Sequence, residues 1–327
     1  MKPYIISEDI ALILNGAGWL SDYYKKKGIE IPDEDTITDL RKDFKRDLER
    51  LSDTSEVILV PEADLQGGLR DCVQKSGEFI VSLDCIYLAP EILQERGMFL
   101  DTTRLYDLDK PYKAPIQVPR SVLKGENAYP LDQQIAKISQ KIKEKLGKSP
   151  EVILIDDVIF SGDGVLKIVE LLKQNGIKVK KCIAGMVLEQ GEEKLKKAGI
   201  TIERVSPIKE CIDQVCERDF YFGIPHSGVM IRKKGKIMKA PYFLPFGDPV
   251  ARASIPEKTA VDFSLSCLKR SLRLYLEMEN LSGRRLRVAE LPERIYGTKP
   301  TEPVVVALQR AQNRLKNKNL KNNMIYS

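Results

Sequence analysis

The chain has 327 residues, 43% of them hydrophobic and 31% charged, with a formal net charge of +6, a balance that excludes a disordered protein. Its apolar runs are too short to cross a bilayer, and Glu8 and Asp9 precede the first of them, so we expect a cytoplasmic protein without a secretory signal. The six cysteines form no Cys-x-x-Cys pair and His226 is the single histidine, which disfavours a disulfide framework and excludes a multi-histidine metal centre within one chain.

The first fifty residues are predicted to be helical. Apolar side chains recur at three- and four-residue spacing through Ile37, Leu40, Phe44 and Leu48, with charged residues between them. This period is typical of an amphipathic helix, so we assign residues 1–54 to an N-terminal helical region.

From Val57 the pattern changes to strands that alternate with helices. Val57–Val60 is a short continuous apolar run, which predicts a strand buried on both faces. We expect a loop over residues 61–68, then a helix to Lys75 and a strand at 79–83. Residues 86–128 contain many prolines and charges and predict a long irregular excursion, which is unusual without a function.

The clearest segment follows a predicted helix at 131–146. Residues 152–155 form an apolar strand that Asp156 and Asp157 close, and Ser161-Gly162-Asp163-Gly164 predicts a turn before another helix. Further strands are expected at 179–188 and 200–205. Strands and helices in this order predict an α/β fold with a doubly wound, mostly parallel sheet.

The two acids and the turn suit a sugar phosphate on physical grounds. Open α/β sheets bind ligands at the carboxyl edge of their strands, where Asp156 and Asp157 can accept hydrogen bonds from the vicinal hydroxyls of a ribose. The backbone N–H groups at the start of the following helix, around Ser161 to Val165, suit a 5′-phosphate. The alternative interpretation is a strand-end turn with an aspartate helix cap.

The segment from Val152 to Gly164 resembles the phosphoribosyl pyrophosphate (PRPP) motif of type I phosphoribosyltransferases. That motif has four apolar residues, two acids, two apolar residues, one variable residue, Thr or Ser, Gly, one variable residue, then Thr or Ser. The chain matches all but the last position, where Gly164 stands. The resemblance implies a sheet of the type I phosphoribosyltransferase kind, with Asp156 and Asp157 at the reacting sugar. It also implies Mg²⁺ on the pyrophosphate, and transfer or cleavage at the ribose C1.

The order of the other elements extends the resemblance over residues 55–210. The loop at 61–68 would be the pyrophosphate loop, in which Gly67 and Gly68 let backbone amides approach the ligand. Arg120 and Lys124 are further candidates to clamp pyrophosphate. After the last core strand come three aromatic residues that either stack on a base or cover the sheet edge, namely Phe220, Tyr221 and Phe222.

Two departures leave open a protein that binds PRPP or a nucleotide-like ligand without turning it over. Gly164 lacks the hydroxyl that would bond to phosphate, and Glu62 and Asp64 make the first loop acidic. His226 is either an acid or base at the site or an incidental loop residue.

The C-terminal part carries its charges unevenly. After Glu302 the chain has no acid and five basic residues, and a second cluster precedes it; they are Arg310, Arg314, Lys316, Lys318 and Lys321, and Arg284, Arg285 and Arg287. Such patches bind nucleic acid or an acidic protein face, or are solvated helix faces.

We therefore divide the chain into the N-terminal region, a core at 55–210, a loop-rich hood or substrate segment at 211–258, and a C-terminal helical extension at 259–327 with a basic tail. This layout resembles the phosphoribosyltransferase-like effectors of some bacterial antiviral modules, including those associated with retrons. Because the apolar runs are short we expect no membrane partner, and the sequence leaves oligomerisation open.

Overall fold

The computed structural model describes residues 2–7, 19–51, 56–75, 85–88, 98–100, 103–109, 116–117, 130–225 and 227–317. Its helices are α1 Trp19–Lys26, α2 Glu34–Glu49, α3 Glu62–Lys75, α4 Leu131–Leu146, α5 Asp163–Gln174, α6 Glu189–Lys197, α7 Pro249–Ala253, α8 Ala260–Ser282 and α9 Val304–Asn317. Its strands are β1 Tyr4–Ser7, β2 Val57–Val60, β3 Cys85–Tyr87, β4 Met98–Phe99, β5 Arg104–Asp107, β6 Ile116–Gln117, β7 Glu151–Ile159, β8 Lys178–Leu188, β9 Thr201–Ile208, β10 Asp213–Cys216, β11 Val229–Lys233 and β12 Lys236–Ala240. None of the helices in these described ranges is long and apolar enough to span a membrane.

The chain divides into two compact units. The central unit comprises residues 60–104 and 116–211, and the terminal unit comprises residues 1–59, 105–115 and 212–327. The N-terminal region, the hood segment and the C-terminal extension expected from the sequence thus fall together into the terminal unit, while most of the expected core forms the central unit.

The central unit has the predicted α/β architecture. Its main sheet has five parallel strands in the order β4-β3-β7-β8-β9. Ile153 and Ile155 of β7 pack with Leu69 and Val73 of α3 on one face. On the other face, side chains of α4 and α5 pack with Val152 of the same strand. Helices on both faces of a parallel sheet make the unit doubly wound, and they leave the central strands β3, β7 and β8 largely buried.

The segment expected as a pyrophosphate loop is instead the start of α3. Leu65, Leu69 and Val73 lie four residues apart and are 4%, 0% and 0% exposed. This helical period buries one face of the segment against the sheet. The free energy gained by that burial outweighs the conformational entropy that Gly67 and Gly68 lose inside the helix. The prediction of a loop at 61–68 was therefore wrong.

Val57–Val60 is a strand as predicted, although it lies outside the parallel core sheet. It forms the edge of a three-stranded sheet with the order β10-β1-β2. Ile58 and Leu59 are 37% and 42% exposed, so the expectation of a strand buried on both faces was wrong. Sequence periodicity cannot distinguish a buried strand from an apolar edge strand, because pairing depends on distant segments.

The terminal unit is built around α2 and α8. The predicted apolar face of α2 is buried, and Asp33 caps its start by accepting a hydrogen bond from the Thr36 amide at 2.9 Å. The N-terminal region also contains a strand that was not expected, β1, which pairs in parallel with β10. Arg270 of α8 is 4% exposed and forms an ion pair with Asp47 of α2, which fixes the two helices together.

Candidate functional site

The acid pair lies inside β7 rather than at its end. The strand continues to Ile159, and its pairing with β8 extends from Glu151↔Lys178 to Ile159↔Val187. On the other edge, the pairing with β3 that the structure describes reaches Ile155. The prediction that Asp156 and Asp157 close the strand was therefore wrong, because β8 offers backbone partners beyond them.

The acids coincide with a break in the alternation of the strand. Strict alternation would place Ile155 and Ile159 on one face of the sheet. Ile155 instead packs with the side chains of α3, whereas Ile159 packs with those of α5 and α6. The paired strand changes in the same way, since Ile183 and Val187 belong to the same two clusters. The backbone around Asp156 and Asp157 therefore departs from a regular pleat.

Both carboxylates accept a hydrogen bond from the amide of the next residue. The Asp157 N–H donates to Oδ1 of Asp156 at 3.0 Å, and the Val158 N–H donates to Oδ1 of Asp157 at 2.7 Å. Both acids are half-buried. Burial raises the pKa of the nearby Cys182 thiol, and the negative charge of Asp156 adds to this effect. The acids therefore have fixed orientations at a partly open position.

The turn after β7 is tight and leads directly into α5. Gly162 adopts a left-handed conformation with φ of 77°, which favours glycine, and its carbonyl accepts the Leu166 amide at 3.0 Å. Because Gly162 has no side chain, it cannot cap the N–H groups of the first helical turn. A Cβ added at Gly164 would meet no atom within 4 Å in the described part of the chain.

A carboxylate stands at the start of this helix. Oδ2 of Asp163 accepts a hydrogen bond from the Ser161 hydroxyl at 2.8 Å, and Oδ1 accepts one from the Lys194 ammonium at 2.7 Å. These two donors, Lys194 foremost, lower the pKa of Asp163. The Asp163 side chain is 69% exposed, so solvent screens the pair and the carboxylate has room to move. Lys194 had no part in the sequence prediction.

Two glycines that the sequence analysis did not single out shape the same site. A Cβ at Gly185 would lie 2.8 Å from the carbonyl oxygen of Asp157, and one at Gly191 would lie 2.6 Å from that of Phe160. Only a residue without a side chain permits such backbone approaches. A glycine inside the apolar run of β8 was the available signal for Gly185.

Asp156, Asp157 and the turn from Ser161 to Val165 are brought together as one strand–turn–helix. The structure does not extend this site to the other predicted residues. Gly67 and Gly68 lie inside α3, where Gly68 faces Val205 of β9 instead of a ligand. Arg120, Lys124 and His226 lie outside the described residues.

The three aromatic candidates are buried in the core of the terminal unit. Phe220, Tyr221 and Phe222 are 1%, 0% and 0% exposed, and the Phe220 ring stacks on Phe44 with centroids 5.1 Å apart. Tyr275 donates a hydrogen bond to the Phe222 carbonyl. The prediction that these rings stack on a base was therefore wrong, because their faces already pack against core side chains.

Within the described ranges, no group of three or more His, Cys, Asp or Glu side chains could hold a metal ion. Mg²⁺ often binds through only one or two carboxylates and completes its coordination with water and ligand phosphates. Asp156 and Asp157 fit that smaller role.

No protein-family model matches the chain, and no curated protein matches it. Among solved structures, the chain is similar to orotate phosphoribosyltransferase from Aeropyrum pernix, with 14% identity over 45% of this chain and 71% of that chain and a TM-score of 0.27. The chain is also similar to orotate phosphoribosyltransferase from Mycobacterium tuberculosis H37Rv in complex with inorganic phosphate, with 11% identity over 45% of this chain and 70% of that chain and a TM-score of 0.24. A third similar structure is adenine phosphoribosyltransferase from Rhodothermus marinus, with 13% identity over 44% of this chain and 79% of that chain and a TM-score of 0.25. At these identities the similarity concerns the fold alone.

Proposed function

We propose that the central unit binds a ligand containing ribose 5-phosphate, such as PRPP or a nucleotide, at Asp156, Asp157 and the turn from Ser161 to Val165. One observation carries the proposal. A pair of acids in the last half of β7 is followed by a left-handed glycine and by the start of α5, where the Ser161 hydroxyl accepts the Asp163 N–H at 3.4 Å and open space lies at Gly164. Open α/β sheets bind ligands at this edge.

The two halves of the ligand match the two halves of the site. The half-buried carboxylates of Asp156 and Asp157 are acceptors, and the vicinal hydroxyls of a ribose are donors. The N–H groups of the first turn of α5 are donors at the positive end of the helix dipole, which favours the phosphate.

Asp163 must move for the phosphate to enter. A phosphate at the helix start would repel this carboxylate, and it would compete for the same two donors, Ser161 and Lys194. Because the Asp163 side chain is mostly exposed, it can turn into solvent and leave both donors to the phosphate oxygens. The present contacts therefore support Ser161 and Lys194 as the donors that a phosphate would take over.

Transfer or cleavage at the ribose C1 of PRPP is the second candidate function. The negative charges of Asp156 and Asp157 would stabilise an oxocarbenium-like transition state, and one of them would help to hold Mg²⁺, which neutralises the departing pyrophosphate. However, the segment expected to bind pyrophosphate is helical, so the amides of Gly67 and Gly68 lie within the hydrogen-bonded ladder of α3. Binding without turnover would suit an effector of the kind found in bacterial antiviral modules.

Calorimetry with ribose 5-phosphate and with PRPP, each with and without Mg²⁺, tests the proposal. We expect saturable binding that Asp156→Asn/Asp157→Asn abolishes while thermal unfolding stays unchanged. Asp132→Asn/Glu144→Gln, which removes two exposed acids from the same unit, is the matched control and should bind as the parent does. Parent-like affinity in the double variant would show that the ribose site is elsewhere. Pyrophosphate release from PRPP would favour the second candidate.

A further inference from the structure

Helix α9 is fixed with one face inward and the other outward. Its inner face is buried in the core of the terminal unit through Val304, Ala307, Leu308, Ala311 and Leu315. The amide of Val304 donates to the carbonyl of Leu286 at 2.8 Å and so anchors the start of the helix. The outward orientation of the opposite face is therefore a fixed property of the fold.

The α9 outer face consists of the exposed residues Val306, Gln309, Asn313, Arg314, Lys316 and Asn317. Their spacing places them along one side of the helix. The whole helix contains no acid, whereas the exposed faces of α2 and α6 carry Lys–Asp and Lys–Glu pairs one turn apart. Asparagine is a poorer helix former than lysine or glutamate. A face needed only for solubility would not favour this composition.

The helix dipole explains only part of the pattern. Basic residues in a last turn are stabilised by the negative end of the dipole, which accounts for Arg314 and Lys316. The same rule favours acids in the first turn, and α9 has none. The dipole also does not explain the amide side chains of Gln309, Asn313 and Asn317, since amides carry no charge. A second reason is needed for these residues.

The second basic cluster lies beside the start of the same helix. Arg287 pairs with Pro303 through an isolated β-bridge, and Arg285 and Arg287 are exposed. Two neighbouring acids are neutralised, since Arg284 binds Glu290 at 2.8 Å and Arg310 binds Glu302 at 2.8 Å, and a third, Glu279, accepts a hydrogen bond from the Leu286 amide at 2.9 Å. Two clusters that are separate in sequence therefore place cations at both ends of one acid-free helix.

We propose that the α9 outer face binds double-stranded DNA in the major groove. A helix of this length extends about 21 Å, and the major groove is about 12 Å wide, so cations at both ends reach the two flanking phosphate strands. Glutamine and asparagine side chains between them are the residues that pair with base edges, adenine above all. The deep, narrow major groove of duplex RNA does not admit a helix, so the geometry selects DNA.

Fluorescence anisotropy with a labelled DNA duplex, titrated with the full chain at several salt concentrations, tests the proposal. Arg314→Glu/Lys316→Glu should weaken binding about tenfold and reduce the slope of log affinity against log salt by about 1.8, or 0.9 for each lost phosphate contact. The control Lys258→Glu/Lys269→Glu makes the same change in net charge at exposed positions elsewhere in the terminal unit and should bind as the parent does. Arg314→Gln/Lys316→Gln provides a milder variant with the same expected direction if the charge reversal unfolds the protein.

Three outcomes would overturn the proposal. The first is equal weakening by the control, which would indicate overall charge rather than this face. The second is equal or tighter binding to duplex RNA of the same length, which would exclude a major-groove fit. The third is equal competition by polyglutamate at matched charge, which would indicate an acidic protein partner. Conversely, loss of base preference in Gln309→Ala/Asn313→Ala/Asn317→Ala with an unchanged salt slope would support base reading by the amides.

Discussion

Two adjacent glycines in α3 offer a direct test of the fold, because alanine at each should change stability in opposite directions. A Cβ at Gly67 would meet no described atom within 4 Å. A Cβ at Gly68 would lie 2.3 Å from Cγ1 and 2.9 Å from Cγ2 of Val205. Both methyl groups of this stiff, β-branched side chain would have to move, and Val205 is held in β9 by the pairing with β8.

The magnitudes follow from these surroundings. Gly67→Ala should stabilise the protein by about 0.8–1 kcal/mol, the ordinary gain of alanine over glycine inside a helix. Gly68→Ala gains the same propensity and loses about 1–3 kcal/mol to overpacking. The difference between the two variants is thus the cost of the Val205 contact, about 1–3 kcal/mol.

Urea unfolding followed by far-ultraviolet circular dichroism gives the free energy of unfolding of both variants by linear extrapolation. The comparison requires that the slope of this free energy against urea concentration is the same in both. Gly68→Ala should have its midpoint below that of Gly67→Ala. Equal gains in both variants would show that α3 does not pack on β9 at Gly68. Losses in both would show that residues 61–68 need glycine conformations, as a loop would.

Three further predictions concern the ligand, a buried ion pair and pH. Gly164→Thr should tighten ribose 5-phosphate binding by about 1.5–3 kcal/mol in calorimetry, because open space admits a hydroxyl that bonds to a charged group; weaker binding would mean that the glycine backbone itself is required. Asp47→Asn should lower the free energy of unfolding in urea by about 3–5 kcal/mol, because it removes the ion-pair partner of the buried Arg270 and leaves Asp43 as the other attracting carboxylate, and an unchanged midpoint would contradict this. Burial raises the pKa of Tyr4 from 10.0 to about 12, so between these pH values the unfolded chain releases a proton that the folded chain keeps, and stability should fall as pH rises. Tyr4→Phe should reduce that fall, measured as the urea midpoint at pH 9 and pH 11. The pKa is raised in the same direction at Tyr24, Tyr221 and Tyr275.

The strand–turn–helix could be predicted from the sequence because its signals are local. Four apolar residues, Gly162 and the period of α5 each specify the backbone of their own neighbourhood. The end of β7 could not be predicted, since it depends on how far β8 continues beside it. The same reason applies to β2, whose apolar residues pair with β1 at a sheet edge.

The residues proposed for ligand binding also divide into those whose role depends on local sequence and those whose role depends on distant segments. Phe220, Tyr221 and Phe222 suggested a stacking surface because exposed aromatics bind bases, yet their burial depends on α2 and α8, which are distant in sequence. Lys194 was missed because it reaches Asp163 from α6, and nothing near either residue in the sequence signals that contact. Contacts across elements, rather than composition, decide these roles.

The two proposed sites lie in different units. The protein would therefore act as a ligand-controlled effector only if binding at one site changes the affinity at the other. Ligand binding at Asp156 and Asp157 and DNA binding by α9 are then separate equilibria unless a coupling free energy connects them. If ribose 5-phosphate changes the affinity for DNA by some factor, DNA must change the affinity for ribose 5-phosphate by the same factor. Measuring both factors with the parent and with Asp156→Asn/Asp157→Asn therefore distinguishes a ligand-controlled DNA-binding protein from a chain with two independent sites. A factor that differs between the two directions would mean that one of the two titrations reports binding at another place.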